Sequence, residues 1–342
     1  MKKLNLNRRT FMQGAGTIAL ATGALGYRPR AARAGGVNLK LGHQLGQTHP
    51  TYQAVEQMAA AIAERTDGEV KISVFPNAAL GSPPDMVKQA QMGALDLVMF
   101  NPPNIESQDA TASVIQIPYQ FDDYAHVHRV LGGTAQGWLN TFFERNKLHW
   151  IANFEYGFRA LSNSRRPVNT PEDIAGLKLR VPPELSIKAT FDALGANTQT
   201  IAFDELYLAL SSGVVDGQDN PVSVDYANKF YEVQKHIATT RHIYTSFMLV
   251  GNPRIWKGLS PDVQAVISEE ALKAGKWAQE AVVANEEQML VAMEEDGVTI
   301  TRPDPAPFRA KMGPAWDAMR ERIGDKTWEE WMGYVDAARQ KV

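Results

Sequence analysis

Two short segments near the middle of the chain contain residue types that are well suited to bind an organic acid. The first runs from Gly176 to Pro182 and contains Arg180, and the second runs from Val214 to Pro221 and contains Asn220. Each is a short apolar run stopped by a turn or loop signal, which predicts one strand that presents Arg180 and another that presents Asn220. Arg keeps its charge and offers parallel N–H donors that match both carboxylate oxygens, while Asn adds a donor and an acceptor. The pair therefore indicates a carboxylate receptor.

The same residues allow a plainer interpretation. Arg180 can be a surface residue that forms ion pairs, and the stretch from Asp219 to Pro221 can be an ordinary turn. Taken alone, neither motif decides between the two interpretations.

A wider set of motifs resembles one protein family. From about Val37 to the C-terminus the chain is similar to the solute-binding proteins of the tripartite ATP-independent periplasmic (TRAP) transporters, the DctP-like family. The matching motifs occur in the expected order, and they are Gly157-Phe158-Arg159, Asn163 to Pro167, Thr170 to Asp173, Gly176 to Pro182, Phe203 to Tyr207, Val214 to Pro221 and Tyr231 to His236. The resemblance implies an α/β protein with the two-lobed periplasmic binding protein fold, a hinged interdomain cleft and a long helix that spans both lobes.

The resemblance also implies which residues hold the ligand. In the family, two arginines and one asparagine bind the carboxylate, and these positions are Arg159, Arg180 and Asn220 here. The chain departs slightly from the family pattern because Asp219 stands where Glu is common, which keeps the charge and shortens the side chain.

Four other residues are weaker candidates for the walls of the site. Gln44 follows the first predicted strand, Asn101 ends an apolar run, and Phe203 could cover a ring or hydrocarbon face of the ligand. All three match positions where the family often contacts ligand. Phe203 is equally well explained as a core residue. Glu184 could accept a hydrogen bond from a ligand ammonium, amide or hydroxyl, although a Glu is favourable at a helix start in any case.

Length and composition predict two domains. The chain has 342 residues, of which 44% are hydrophobic, and it exceeds the size at which one core usually suffices. We expect lobe 1 to comprise residues 37–157 and 247–288, and lobe 2 to comprise residues 158–246 and 289–342.

Alternating strand-like and helix-like patterns are typical of α/β proteins. In the first part of the chain they predict strands over 39–43, 70–75 and 95–100, and helices over 49–63 and 83–93.

The second part of the chain is predicted to contain helices over 184–194 and 203–211 and a return to lobe 1 along 247–250. A long helix should begin after Ser260, with Pro261 in its first turn, and should continue to about Glu295 before Gly297. At about 1.5 Å per residue it would span roughly 50 Å.

The N-terminal segment is typical of an export signal. Lys2, Lys3, Arg8 and Arg9 precede an uncharged stretch over 14–26, and Ala32-Arg33-Ala34 offers an A-x-A cleavage site. The stretch over 7–12 resembles a twin-arginine signal. We therefore expect residues 1–34 to be removed and the mature protein to be periplasmic. No other run of about 18 apolar residues occurs, so the chain is not expected to span the membrane.

Charge and cysteine content exclude several classes of partner and site. The formal charge is −3, and loss of residues 1–34 removes seven of the 35 Lys and Arg but no acidic residue, leaving −10. Nucleic acid and anionic lipid need a basic face, so neither is an expected partner. Without cysteine the chain forms no disulfide or thiolate metal site.

Motifs of catalysis and metal binding are weak. The stretch over 216–220 resembles a calcium loop, but Pro221 stands where Gly is required. His126 and His128 are two residues apart on a predicted helix, so they point to different faces. We expect no enzyme activity, no cofactor and no metal.

The sequence thus predicts a periplasmic receptor that binds a small organic anion and delivers it to TRAP membrane permease subunits. Two alternatives remain, namely a ligand sensor for a receptor kinase and an exported enzyme acting on an organic acid. The family resemblance favours a monomer, while the sequence itself leaves the oligomeric state and the identity of the acid open.

Overall fold

The computed structural model describes residues 36–339, and the predicted export signal lies outside them. The strands are β1 (Val37–Gly42), β2 (Val70–Phe75), β3 (Leu97–Phe100), β4 (His149–Asn163), β5 (Lys178–Val181), β6 (Asn197–Thr200), β7 (Gly217–Pro221), β8 (His236–Ala238), β9 (Tyr244–Gly251) and β10 (Thr299–Thr301). The α-helices are α1 (Pro50–Arg65), α2 (Pro83–Met92), α3 (Tyr124–Arg129), α4 (Gln136–Arg145), α5 (Leu185–Ala193), α6 (Leu206–Ser211), α7 (Val222–Ala227), α8 (Pro253–Gly258), α9 (Pro261–Glu295), α10 (Pro305–Ala310), α11 (Gly313–Ile323) and α12 (Asp325–Ala337).

The strands form one continuous path in the order β2-β1-β3-β9-β4-β7-β5-β6, with β8 and β10 attached beside β4. The 15-residue strand β4 joins the first half of this path (β2, β1, β3 and β9) to the second half (β7, β5 and β6). It pairs with β9 as far as Phe158 and with β7 from Arg159 onward. The ladder shifts register between Glu155 and Gly157, and Gly157 has a φ of +121°, which favours glycine. The predicted crossing near Tyr156 and Gly157 therefore coincides with an irregular point in the shared strand.

Helix α9 is the long helix that the sequence predicts, and its bounds are confirmed. The hydroxyl of Ser260 accepts a hydrogen bond from the amide of Val263, which caps the first turn. Ile267, Ala271, Ala274 and Ala278 belong to a core cluster that includes residues of β1, β3, β4 and β9, whereas Leu290 and Met293 belong to a cluster that includes residues of β4 and β8. The α/β fold with a helix along both halves is thus as predicted.

Most predicted elements appear within a few residues of their expected bounds, and Val70–Phe75 matches fully. Strand β7, from Gly217 to Pro221, presents Asn220 as predicted. The alternative interpretation of residues 219–221 as an ordinary turn is wrong, because they belong to this buried strand. A Cβ at position 217 would overlap the carbonyl oxygen of Ser162, so the glycine permits close pairing. Of the polar side chains that follow, Asn220 donates to Gln218, and Asp219 is bound by Arg159 and His242.

The C-terminal helix α12 packs against the part of the chain that contains α4. Trp331 is fully buried and its ring lies 5.2 Å from that of Trp138, in the cluster that also contains Phe142. The predicted division of the chain into two lobes by residue number stays a prediction. Within residues 36–339, no helix has the length and apolar character needed to cross a bilayer.

Candidate anion-binding site

The strands β4, β7 and β5 bring together the three residues predicted to hold a carboxylate. Strand β7 carries Asn220 and lies between β4, which carries Arg159, and β5, which carries Arg180. Both arginines are buried, with 3% of Arg159 and 2% of Arg180 exposed. The surface interpretation of Arg180 is therefore wrong. The contact of these residues with a ligand stays a prediction.

Arg159 is held by a buried carboxylate. Its Nε lies 2.5 Å from Oδ2 of Asp219, and its Nη2 donates to the Asp219 carbonyl oxygen at 2.6 Å. Nε2 of His242 lies 3.1 Å from the same Oδ2. Burial alone would raise the pKa of Asp219, but the charge of Arg159 and hydrogen bonds from His242 and Arg159 hold it well below its ordinary value. Asp219 is therefore a fixed anion that orients Arg159.

Arg180 has no such anion. Its Nε donates to the carbonyl oxygen of Ile201 at 2.8 Å, while Nη1 and Nη2 make no hydrogen bond or ion pair within residues 36–339. Burial lowers the pKa of Arg180 to about 10, and the charges of Asp219 and Glu184 oppose this change. The guanidinium still carries its proton at neutral pH, so Arg180 is a buried cation that is not paired with a protein carboxylate.

An amide and a phenol complete this part of the site. The Tyr156 hydroxyl donates to Oδ1 of Asn220 at 3.3 Å, and Nη2 of Arg159 lies 3.4 Å from the same oxygen. Gln44, half-buried in the loop after β1, lies close to the Tyr156 hydroxyl. Gln44 therefore lies near Arg159 and Asn220, which is consistent with its predicted place in the wall of the site.

Glu184 lies at the N-cap of α5 and is 5% exposed. Its Oε1 accepts a hydrogen bond from Nδ2 of Asn104 at 3.1 Å, and its Oε2 is buried without a partner among the described residues. Burial raises the pKa of Glu184 to about 7, although the charge of Arg159 opposes the rise. The side chain contacts a residue of the first half of the chain, so it lies at a junction and not on an open helix start.

Two predicted wall residues differ in their surroundings. Asn101 follows β3, is 3% exposed and has a buried Oδ1 without a partner among residues 36–339. Phe203 is half-buried and packs near Phe230, with ring centroids 6.2 Å apart. The packing of Phe203 agrees with its alternative interpretation as a core residue, and ligand contact for both residues stays a prediction.

The structure adds polar residues that the sequence analysis did not single out. Gln116 accepts a hydrogen bond from Ser186 at 2.8 Å and donates to Thr245 at 3.3 Å. Nη1 of Arg159 lies 3.5 Å from the same Thr245 hydroxyl. Asn104 follows the buried strand β3 closely, and this position was the only sequence feature that could have suggested it as a site residue. The local sequence around Gln116 and Thr245 contains no comparable feature.

A buried serine–histidine pair near the site is not arranged for nucleophilic catalysis. Nε2 of His49 lies 3.1 Å from the Ser223 hydroxyl, and Nδ1 of His49 accepts a hydrogen bond from the amide of Thr51. Burial lowers the pKa of His49 to about 3, so the ring is neutral and the proton resides on Nε2. His49 therefore donates to Ser223 and is unable to act as its base.

The two histidines of α3 have separate partners. Nε2 of His126 contacts the carbonyl oxygen of Val335, and Nε2 of His128 lies 2.9 Å from Oε2 of Glu155. Among residues 36–339 there is no group of three or more His, Asp and Glu side chains placed to hold a metal ion.

Comparisons with known proteins agree with this architecture. The model of the family described as bacterial extracellular solute-binding protein, family 7 (DctP) matches residues 41–322. The sialic acid-binding periplasmic protein SiaP of Vibrio cholerae is 31% identical, with 90% of this chain and 95% of that protein covered. The C4-dicarboxylate-binding periplasmic protein DctP of Rhodobacter capsulatus is 30% identical, with 84% and 88% covered.

A solved structure gives the same result. The sugar acid binding protein from Advenella mimigardefordensis, in complex with galactonate, superposes with a TM-score of 0.85 at 28% identity, covering 90% of this chain and 100% of that one.

Proposed function

Since the chain belongs to family 7 of the bacterial extracellular solute-binding proteins, the DctP family of the TRAP transporters, we propose that it captures a small carboxylate-containing organic acid. The acid would then be delivered to the membrane permease of the transporter. The relatives named above bind sialic acid, C4-dicarboxylates and galactonate according to their names, which supports an acid as the ligand.

The observation that carries this proposal is the unpaired charge of Arg180. A buried cation is costly unless an anion or several hydrogen bonds compensate it. Arg159 has its carboxylate in Asp219, but the Nη atoms of Arg180 have no acceptor within residues 36–339. A ligand carboxylate would supply both the charge and two acceptor oxygens to that planar group.

Access to the site requires movement. The segment that contains Asn104 and Gln116 bonds to Glu184 and Ser186 at the start of α5. Because Arg180 is only 2% exposed, we propose that these contacts separate to admit a ligand. We propose that the two lobes open about the irregular point near Gly157 and close around the acid, so that the ligand favours the closed form by contacting both sides.

A thermal-shift screen over small carboxylic acids tests the proposal. A ligand present at 100 times its dissociation constant adds about 2.7 kcal/mol of stability, so at least one acid should raise the melting temperature clearly. Native mass spectrometry of the purified protein should reveal a co-purified acid. If no acid is stabilising and none is retained, the protein is not an organic-acid receptor.

Export, location and assembly also belong to the proposal. We propose that residues 1–34 direct the chain to the periplasm through the twin-arginine route and that the mature protein is a monomer. Replacing both Arg8 and Arg9 with Lys should retain the precursor in the cytoplasm, while the wild type should yield a mature N-terminus after Ala34. Light scattering of the mature protein should give the mass of one chain, and a dimer would contradict this point.

A further inference from the structure

Part of the candidate site is lined with buried oxygen atoms that receive no hydrogen bond. These are Oε2 of Glu184, Oδ1 of Asn104 and Oδ1 of Asn101, none of which has a donor within residues 36–339. Glu184 is 5% exposed and Asn101 is 3% exposed, so bulk water does not satisfy them. Buried acceptors without donors are rare in native proteins because the desolvation cost is not recovered.

Two of these oxygens belong to side chains that are hydrogen-bonded to each other. Nδ2 of Asn104 donates to Oε1 of Glu184 at 3.1 Å, and the unsatisfied atoms are the second oxygen of that carboxylate and the oxygen of that amide. The Asn104 amide uses its donor on the protein and leaves its acceptor free. While Glu184 is ionised, a group that satisfies either oxygen must therefore be a donor.

The acceptors belong to the arginine site. Glu184 stands four residues after Arg180, and its charge acts on both Arg180 and Arg159. Gln116 links the two regions by a chain of contacts, since its side chain lies near Glu184, accepts from Ser186 at 2.8 Å and donates to Thr245 at 3.3 Å. Arg159 completes the chain through Thr245 at 3.5 Å. One bound molecule could thus contact both a guanidinium and these oxygens.

We propose that the ligand is a hydroxylated monocarboxylic acid of the sugar-acid type, whose carboxylate binds at Arg180 and whose hydroxyl groups donate to Glu184 and Asn104. This inference rests on the proposed function, because it assigns the chemistry of the ligand end that Arg180 does not bind. Glu184 is the residue that rejects a second carboxylate.

Hydroxyl groups suit the unsatisfied oxygens of Glu184, Asn104 and Asn101 better than a second carboxylate or an ammonium group does. A second carboxylate offers only acceptors to a wall of acceptors, and its charge would lie beside Glu184. An ammonium offers only donors, whereas Nδ2 of Asn101 is itself a donor that makes no hydrogen bond within residues 36–339. A hydroxyl both donates and accepts, so neighbouring hydroxyls on one carbon chain satisfy the oxygens and this donor together.

Calorimetry at pH 8, where Glu184 is largely ionised, with two matched series of acids tests the inference. The six-carbon series is D-gluconate, adipate, hexanoate and 6-aminohexanoate, and the four-carbon series is D-erythronate, succinate, butanoate and 4-aminobutanoate. In at least one series the hydroxy acid should bind at least about tenfold more tightly than its three partners, as expected when a site built for hydroxyls meets an analogue without them. Equal or tighter binding of a dicarboxylate, amino acid or plain acid would overturn the inference and leave the proposed function intact. If none of the eight acids binds and the thermal-shift screen identifies an acid without hydroxyl groups, the inference is wrong and the proposed function stands.

The Glu184→Gln variant tests the selecting residue. It removes the charge and should improve binding of the dicarboxylate relative to the hydroxy acid by about tenfold or more. The matched control is Glu172→Gln, because the Glu172 side chain is 69% exposed and pairs with Lys311. The control should leave the ratio of the two affinities unchanged.

A second variant keeps the test decisive if Glu184→Gln folds poorly. Asn104→Ser removes the neighbouring amide oxygen while Glu184 keeps its charge, and it should weaken hydroxy-acid binding about tenfold with little change for the plain acid. An unchanged preference in Glu184→Gln, or equal losses for hydroxy and plain acids in Asn104→Ser, would contradict the assignment.

Discussion

Arg159 and Asp219 form an ion pair inside the protein, with Nε of Arg159 2.5 Å from Oδ2 of Asp219 and both side chains buried. The pair joins β4 to β7, and His242 extends it. The two arginines of the site thus have different situations, since Arg159 is neutralised and fixed by the protein and Arg180 is not. A ligand carboxylate would meet one oriented donor group and one free charge.

Removal of the Arg180 guanidinium should weaken acid binding most strongly. Charge-assisted hydrogen bonds contribute roughly 1.5–3 kcal/mol each, so Arg180→Ala should lower affinity by at least tenfold. Arg180→Lys should restore only part of the loss, because an ammonium lacks the planar pair of donors. Calorimetry with the acid found in the screen measures both variants. Arg165→Ala is the control, since that side chain is 65% exposed and should bind as the wild type does; full affinity in Arg180→Ala would contradict the site.

Loss of the buried anion should destabilise the fold. Asp219→Asn leaves the Arg159 charge without its partner, and breaking a buried ion pair on one side typically costs about 3–5 kcal/mol. Urea denaturation gives the free energy of unfolding. The exposed pair of Glu287 and Arg302 serves as a control, because Glu287→Gln should cost less than about 1 kcal/mol. Similar losses in both variants would mean that burial of the Arg159 pair has no energetic importance.

Two buried histidines should make the fold sensitive to acid. Burial lowers the pKa of His43 to about 4 and that of His49 to about 3, whereas unfolded histidines titrate near pH 6.5. Stability is therefore fully present above pH 6.5 and is lost as the pH falls towards 4 and 3. Each histidine should cost about 2 kcal/mol of unfolding free energy at pH 5 relative to pH 7.5. Urea melts at the two pH values measure this, and the loss should shrink in His43→Gln.

Ionisation of Glu184 should reduce the stability of the fold as the pH rises, whereas protonation of the two histidines reduces it as the pH falls. Because its folded pKa is raised to about 7, the stability that it contributes is fully present below its unfolded pKa and is lost as the pH rises through 7. The unliganded Glu184→Gln variant should therefore gain stability relative to wild type between pH 5 and pH 8. A stability difference that does not depend on pH would show that the carboxyl titrates normally.

The close approach of α9 to β4 depends on one glycine. A Cβ at Gly275 would overlap the carbonyl oxygen of Asn153, so Gly275→Ala should destabilise the protein although alanine favours helices. Gly333 in α12 has no atom within 4 Å of such a Cβ, and Gly333→Ala should add about 0.5–1 kcal/mol. Thermal melts of the two variants should shift in opposite directions.

The sequence predicted the regular elements well because their patterns are local. The alternation over Val70–Phe75 and the cap at Ser260 each predict an element without reference to distant residues, and both are confirmed. Strand β7 was harder, because its buried residues are polar and each is satisfied by a partner from another strand or helix. Asp219, for example, is stable inside the protein only because Arg159 lies 60 positions away in sequence but on the adjacent strand.

Some residues of the candidate site could likewise be predicted from local motifs, and others could not. Arg159, Arg180 and Asn220 could be proposed from motif resemblance, and the strands that carry them are neighbours as required. Asn104 and Gln116 could not, since an amide in a loop has no local signature of burial. Their position follows from the packing of the loop after β3 against α5, which only the folded chain defines.

Strand β4 also bears on how the molecule unfolds. Its residues form a ladder with β9 as far as Phe158 and with β7 from Arg159 onward, so melting either half removes backbone partners from the other. Two lobes joined only by flexible linkers would unfold in separate steps, but these two share a single extended strand. A scanning calorimeter should therefore record one cooperative endotherm, with equal calorimetric and van't Hoff enthalpies.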